Sequence, residues 1–310
     1  MHDYAFVGND ETSLLFLERV FEKKPPRFII TGEDRIEGRG RKMTSSLPAL
    51  FAEKNSLKCF KTNDPNSVEF LQKIHSEGSV DFFLVFSFGY YLKKAFLSLP
   101  KRMCVNIHPS LLPLYRGAAP LNRAIMNNDR KSGVTFFRMT SKMDAGPVIA
   151  SREIAFDECE TSVTFRNKVL AEAARLFLSF DWESDFALFE QDDSKATPAN
   201  KIDKKELILN LNEDSCSVKS KINGLSEYGV KCLINEKPVK IRSASLSDSD
   251  YDKEPGSIII EGKRIIVKCL KGSVFLNEIQ PEGKKTMSAE SFINGYKIKT
   301  GDKVCVEFLA

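Results

Sequence analysis

The run Asp81-Phe-Phe-Leu-Val-Phe-Ser-Phe88 is apolar on both of its faces. Successive side chains of a strand point to opposite sides of its sheet. A strand apolar on both sides therefore belongs in the middle of a sheet that is covered above and below, as parallel sheets are. The neighbouring segments make the same demand. Strand-like runs at 4–8, 27–31, 57–60 and 104–108 alternate with helix-like segments at 11–22, 67–77 and 92–99. That alternation predicts an α/β domain, a Rossmann-like parallel sheet with helices on its faces, whose ligands bind beyond the carboxyl ends of the strands. A longer helix from about Thr161 carries Val169, Ala173, Leu176, Phe177 and Phe180 on one stripe and closes a first domain at residues 1–189.

Residues 190–205 are polar and nearly free of large apolar side chains, which predicts a linker. Short strand-like runs follow at 229–235, 238–245, 256–261, 263–270 and 272–279, separated by turn residues, so that residues 206–310 are expected to form a small antiparallel β-barrel. A chain of 310 residues suits two such domains. Its 46 Lys plus Arg stand against 42 Asp plus Glu, a net charge of +4, so any nucleic-acid contact must be local. The seven cysteines include no Cys-x-x-Cys pair and there are three histidines, which points to neither a disulfide framework nor a zinc site. No apolar run approaches the length of a membrane span, and the chain enters the strand-like run Tyr4–Gly8 with no signal or transit peptide before it. A cytoplasmic protein is the expectation.

Chemistry concentrates between residues 104 and 149. Asn106 and His108 lie two apart at the end of an apolar run, so on a strand their side chains emerge from one face and can meet one substrate atom. Pro109 and Pro113 then turn the chain sharply. Asp144 falls in a Gly-flanked turn between two further strand-like runs, 133–139 and 148–150, which can return it to the same sheet edge. Taken singly, a histidine beside a strand end is more often a satisfied core residue, and an asparagine a turn former. Together the three supply an acid/base, a carboxylate to orient it and favour its protonated form, and a neutral donor for a developing oxyanion.

Asn106-x-His108-x-Ser110-Leu-Leu-Pro113, followed by Arg116-Gly-Ala-Ala-Pro120, Gly133-Val-Thr135 and Met143-Asp144-x-Gly146, resembles the formyltransferase family that uses 10-formyltetrahydrofolate, and within it the branch that acts on methionyl-tRNA. The resemblance covers nearly the whole chain and is strongest over 104–149. It implies that Asn106, His108 and Asp144 are the catalytic trio and that Ser110, Leu111, Leu112 and Pro113 line the folate site. It further implies an oligonucleotide-binding-type barrel that holds initiator tRNA, a bacterial cytoplasmic setting, a monomer, and no metal. In this family an inserted basic loop enters the acceptor stem. Here that place is taken by Gly38-Arg39-Gly40-Arg41-Lys42, with Arg39, Arg41 and Lys42 as the tRNA-binding candidates. A run of charges is by itself usually a solvated face, and the Gly38-x-Gly40 pair is only part of a dinucleotide fingerprint, with Met43 where a third glycine belongs.

Two departures stand out. The family's Gly-Thr-Pro after the first strand is Gly8-Asn9-Asp10 here, and its tryptophan-bearing segments beyond the linker are replaced by Asn210-Leu211 and Asn223–Tyr228. The sole tryptophan, Trp182, is expected to be a core anchor. Formyl transfer to another amine, such as an amino sugar nucleotide, and RNA binding on a scaffold without catalysis are the alternatives, and the intact trio speaks against the second. Replacing Leu112 by Asp is expected to weaken folate binding by setting a charge against an apolar wall. Calorimetry with undiminished affinity would place the folate elsewhere.

Overall fold

The computed structural model describes residues 3–37 and 42–306. It divides into two compact units that do not follow a single cut in the sequence: Met1–Gly117, Gly133–Ile154 and Asn167–Pro198 form the first, and Ala118–Ser132, Ala155–Arg166 and Ala199–Ala310 the second. The polar stretch from 190 to 198, expected as linker, groups with the first unit.

The first part of the chain contributes β1 (Tyr4–Val7), β2 (Phe28–Thr31), β3 (Arg35–Glu37), β4 (Lys42–Thr44), β5 (Lys58–Lys61), β6 (Phe82–Val85), β7 (Met103–His108), the two-residue β8 (Arg116–Gly117), β9 (Lys131–Arg138) and β10 (Val148–Ala155). Seven of these form one sheet in the order β10-β9-β7-β6-β1-β2-β5. From β5 to β7 every pairing is parallel, whereas β9 runs antiparallel to β7 and sets Thr135 opposite His108 and Phe137 opposite Asn106. The Rossmann-like expectation thus holds, with an antiparallel extension on the edge that carries the candidate site.

Both faces of the sheet are filled by aromatic rings. All four residues of β6 are buried. Phe83 meets Phe28 and Phe96 edge-on on one face, while Phe82 meets Trp182 on the other. Trp182 is buried among Phe82, Phe136, Phe177 and Phe180, and its indole N–H donates to the Phe177 carbonyl (2.9 Å), the core role expected of it. The apolar run continues to Phe88, but the strand stops at Val85. Ser87 (φ 52°) and Gly89 (φ 79°) are in left-handed backbone, which no strand accommodates.

The strand order reverses between β1 and β6, the place where α/β sheets open a crevice. The unusual Gly8-Asn9-Asp10 loop lies there and satisfies itself locally. The Asn9 N–H donates to the Ser87 carbonyl (3.2 Å), and Asp10 caps the helix Glu11–Val20 by accepting from the Ser13 N–H (3.0 Å) and from the Ser87 hydroxyl (2.5 Å).

The segments that flank the basic stretch pair as two short strands. β3 and β4 pair antiparallel, Arg35 opposite Thr44 and Glu37 opposite Lys42. Arg35 donates to the Tyr90 hydroxyl (2.8 Å) and Asp34 pairs with Lys61 (2.6 Å). Arg39 and Arg41 lie outside the described residues, and of Lys42 only the backbone is described.

In the second unit, after the short β11 (Pro198–Ala199), the strands are β12 (Val230–Ile234), β13 (Lys237–Ser247), β14 (Ile258–Glu261), β15 (Arg264–Lys268), β16 (Ser273–Pro281), β17 (Met287–Ser288) and β18 (Val304–Cys305). Their sheet runs β14-β15-β16-β13-β12-β18, with β17 attached to β16. The two ends of that row then meet. Ile258 N–H donates to the Asp302 carbonyl (2.9 Å) and Val304 N–H to that of Gly256 (2.8 Å), which closes the expected antiparallel barrel around Val230, Ile241, Ile265, Val274 and Phe292. None of the helices among the described residues is long and apolar enough to cross a membrane.

Asn223 has a structural duty. β12 pairs with β13 only as far as Ile241, so beyond a bulge near Ser243 the Ala244 backbone lacks a strand neighbour on that side. The fully buried Asn223 carboxamide substitutes for one, donating to the Ala244 carbonyl (3.0 Å) and accepting from its N–H (2.9 Å). Asn223→Leu should leave two buried backbone groups unpaired and lower the unfolding free energy by about 2–5 kcal/mol. Urea unfolding of the variant at the wild-type midpoint would show that water satisfies them instead.

Candidate active site

β7 delivers Asn106 and His108 to the carboxyl end of the sheet, two residues apart and therefore on one face. Asn106 is half-buried, and among the described residues its carboxamide has no hydrogen-bond partner, so both its donors are free for a ligand.

His108 is buried, with oxygens on both sides of its ring. Nε2 lies 2.8 Å from the Tyr115 carbonyl, and Nδ1 lies 3.7 Å from Asp144 Oδ2. A carbonyl can only accept, so Nε2 carries the hydrogen and the lone pair sits on Nδ1, on the carboxylate side. The distance to Asp144 is too long for a hydrogen bond but close enough for its charge to act. Burial pushes the His108 pKa below its ordinary value, opposed by the Asp144 charge and the Tyr115 carbonyl. The carboxylate was expected to favour the imidazolium. It does pull that way, but removal of the ring from water is the larger effect and favours the neutral ring.

The loop from Pro109 to Gly117 is fastened from several directions. The Thr135 hydroxyl donates to the Ser110 carbonyl (2.7 Å) and accepts from the Leu112 N–H (3.1 Å). The Tyr115 N–H donates to the Thr197 hydroxyl (2.8 Å), and the Leu112–Pro113 peptide is cis. Ser110 is fully buried and its hydroxyl donates to the Leu114 carbonyl (2.6 Å), so this side chain shapes the loop rather than facing a ligand. Leu111, Leu112 and Pro113 remain half-buried at the loop's surface. Gly133 makes room for Leu111: a Cβ there would stand 2.6 Å from Leu111 Cδ2.

Asp144 sits in the turn that joins β9 to β10, in left-handed backbone (φ 47°). Its carboxylate accepts from the Gly117 N–H (2.9 Å), which ties the turn to the proline loop. Gly146 is required there, because a Cβ would lie 1.8 Å from the Arg138 carbonyl oxygen. Gln191 reaches the same turn, its amide donating to the carbonyls of Asp144 (2.9 Å) and Gly146 (2.6 Å).

The structure thus brings Asn106, His108, Asp144 and the 110–113 loop into one neighbourhood. Thr135, Gln191 and Thr197, which hold that neighbourhood together, were not singled out from the sequence. Thr135 carried a signal in the Gly133-Val-Thr135 motif, whereas Gln191 and Thr197 were hidden in a stretch whose composition suggested a linker. Among the described residues no group of three or more His, Cys, Asp or Glu side chains could hold a metal. A separate cavity of about 210 Å³, lined by Tyr4, Lys24, Phe82 and Trp182 among others, lies at the start of β1 and β6 and contains none of the site residues.

Comparison with known proteins identifies the family. The family model "Formyl transferase" matches residues 23–180, and "Formyl transferase, C-terminal domain" matches residues 201–297. A methionyl-tRNA formyltransferase of Thermotoga neapolitana is 35% identical over 307 residues, 97% of each chain. One from Methylococcus capsulatus is 32% identical over 95% of this chain and 97% of its own. Among solved structures, an N-formyltransferase from Helicobacter canadensis in complex with folinic acid and dTDP-3-aminofucose aligns at TM-score 0.65 and 18% identity, covering 91% of this chain and 100% of that one. HypX from Aquifex aeolicus in complex with tetrahydrofolic acid aligns at 0.63 and 15%, over 95% of this chain and 47% of that one. At such identities the two structures speak for the fold alone. By the two matched models and the full-length relatives, the chain belongs to the formyl transferase family.

Proposed function

We propose that this protein transfers the formyl group of 10-formyltetrahydrofolate to the amino group of methionyl initiator tRNA, as a monomer in a bacterial cytoplasm. The observation that carries the chemistry is the unpartnered Asn106 amide beside a buried His108 whose Nδ1 faces Asp144. The choice of substrate rests on relatives named methionyl-tRNA formyltransferase that match nearly the whole chain at 35% and 32% identity, against 18% for the sugar-bound structure.

The amine attacks the formyl carbon, and a tetrahedral centre forms whose oxygen gains negative charge. Asn106 donates to that oxygen. The attacking nitrogen must shed a proton, and His108 Nδ1 takes it. The imidazolium so formed is held between the Tyr115 carbonyl and the Asp144 carboxylate, and returns the proton to the folate nitrogen as the carbon–nitrogen bond breaks. Leu111, Leu112 and Pro113 line the folate. The barrel at residues 206–310 and the basic residues Arg39, Arg41 and Lys42 hold the tRNA.

His108→Ala should lower turnover by about two to four orders of magnitude while the protein stays folded. Because burial depresses the His108 pKa, the acidic limb of the rate profile should lie below the ordinary imidazole value of about 6.5. Asp144→Asn removes the charge that stabilises the imidazolium and should move the limb lower still. Near-normal turnover of a folded His108→Ala, or a limb insensitive to Asp144→Asn, removes the corresponding residue from the mechanism.

The substrate is tested through the three basic residues at 39–42. Neutralising Arg39, Arg41 and Lys42 together should weaken tRNA binding and reduce its salt slope by roughly one unit per lost phosphate contact, with folate affinity unchanged. Wild-type formylation of charged initiator tRNA by that variant would overturn the tRNA contact. Transfer by the native protein to an amino sugar nucleotide and not to tRNA would establish the alternative.

A further inference from the structure

We propose that Gln191 is a positioning residue that fixes Asp144 relative to His108, a role that rests on the mechanism above. Its carboxamide holds three groups at once. The NH2 group donates to the carbonyls of Asp144 (2.9 Å) and Gly146 (2.6 Å), gripping the turn at two points. Its Oε1 accepts from Arg116 Nε (3.0 Å) and Nη2 (2.7 Å). Arg116 directly follows Tyr115, whose carbonyl faces His108 Nε2. Gln191 therefore links the loop that holds one side of the imidazole to the turn that presents a carboxylate to the other.

A hold of this kind is needed. Asp144 is in left-handed backbone, its carboxylate has one backbone N–H to accept from, and its 3.7 Å separation from Nδ1 is not fixed by a direct hydrogen bond. Left alone, the turn could carry the charge away from the ring. Arg116 is in turn paired with Asp193 (2.8 Å), which also takes Lys142 (2.6 Å) from the same turn. Asp193 is more than half exposed, so these surface pairs contribute little. The neutral amide, half-buried and bonded four times, is the firmer connection. A glutamine suits it because a carboxamide offers two donors and an acceptor in one plane. Glutamate would keep the acceptor for Arg116 but lose both donors and set a negative charge against two carbonyls.

The test is a mutant cycle. Gln191→Leu, Gln191→Glu, Asp144→Asn and the Gln191→Leu/Asp144→Asn double variant are compared in kcat, KM for folate and charged tRNA, pH profile and melting temperature. Either Gln191 variant should lower kcat by about 10- to 100-fold, the cost of a misplaced group, with both KM values within about threefold. For the uncharged Gln191→Leu the acidic limb should move down in pH, as for Asp144→Asn. With the Asp144 charge already gone its position matters little, so the double variant should be within about threefold of Asp144→Asn alone. Gln191→Glu retains the Arg116 bonds and guards against a general loss of folding. Independent, multiplicative losses in the cycle, a defect confined to KM, or wild-type kcat for both Gln191 variants would overturn the proposal while the mechanism stands. A wild-type kcat for Asp144→Asn would instead remove Asp144 from the mechanism, and the positioning role with it.

Discussion

Burial of the His108 ring governs the arrangement around it. An imidazole removed from water loses its ability to charge unless the protein supplies what water supplied, and here two oxygens, one neutral and one anionic, stand on opposite sides of it. Each must be brought from a different part of the chain. The carbonyl arrives on a loop that leaves β7 and turns back at once, and the carboxylate on a turn reached only after β9 has run the length of β7 in the opposite direction. The antiparallel extension of an otherwise parallel sheet is thus what lets one strand's end be flanked by two consecutive connections.

Much of this was legible from residue order. The run from Asp81 to Phe88 demanded a doubly covered strand, and the two-residue spacing of Asn106 and His108 put both on one face; these follow from the period of a strand and need no knowledge of distant contacts. The return of Asp144 could be anticipated because two strand-like runs bracketed it. Where β6 stops could not, since Phe86 and Phe88 are as apolar as their neighbours and the left-handed backbone at Ser87 leaves no mark in hydrophobicity. The β3–β4 hairpin was hidden for the opposite reason. Its strands are three residues long and rich in charge, with too little alternation to register.

Residues 190–198 show a more general limit. Their composition is that of a solvated connector, yet Gln191 and Thr197 bond to carbonyls and amides of the loops around His108. Composition reports whether a segment can bury apolar surface. It says nothing of backbone groups elsewhere in need of partners, and those groups decide where a polar segment lies. Asn223 is the same case in the barrel, a buried amide whose position follows from where β12 ends.

Closure of that barrel through Gly256, Ile258, Asp302 and Val304 has a further consequence. An open sheet offers a row of unpaired amides and carbonyls on which another extended chain can be templated, either as a ligand or as the start of an aggregate. Where the two ends meet, that template is withdrawn. The outward side chains of this unit and the loops at its rims form a surface that can be recharged by substitution without disturbing the hydrogen bonds that join its ends.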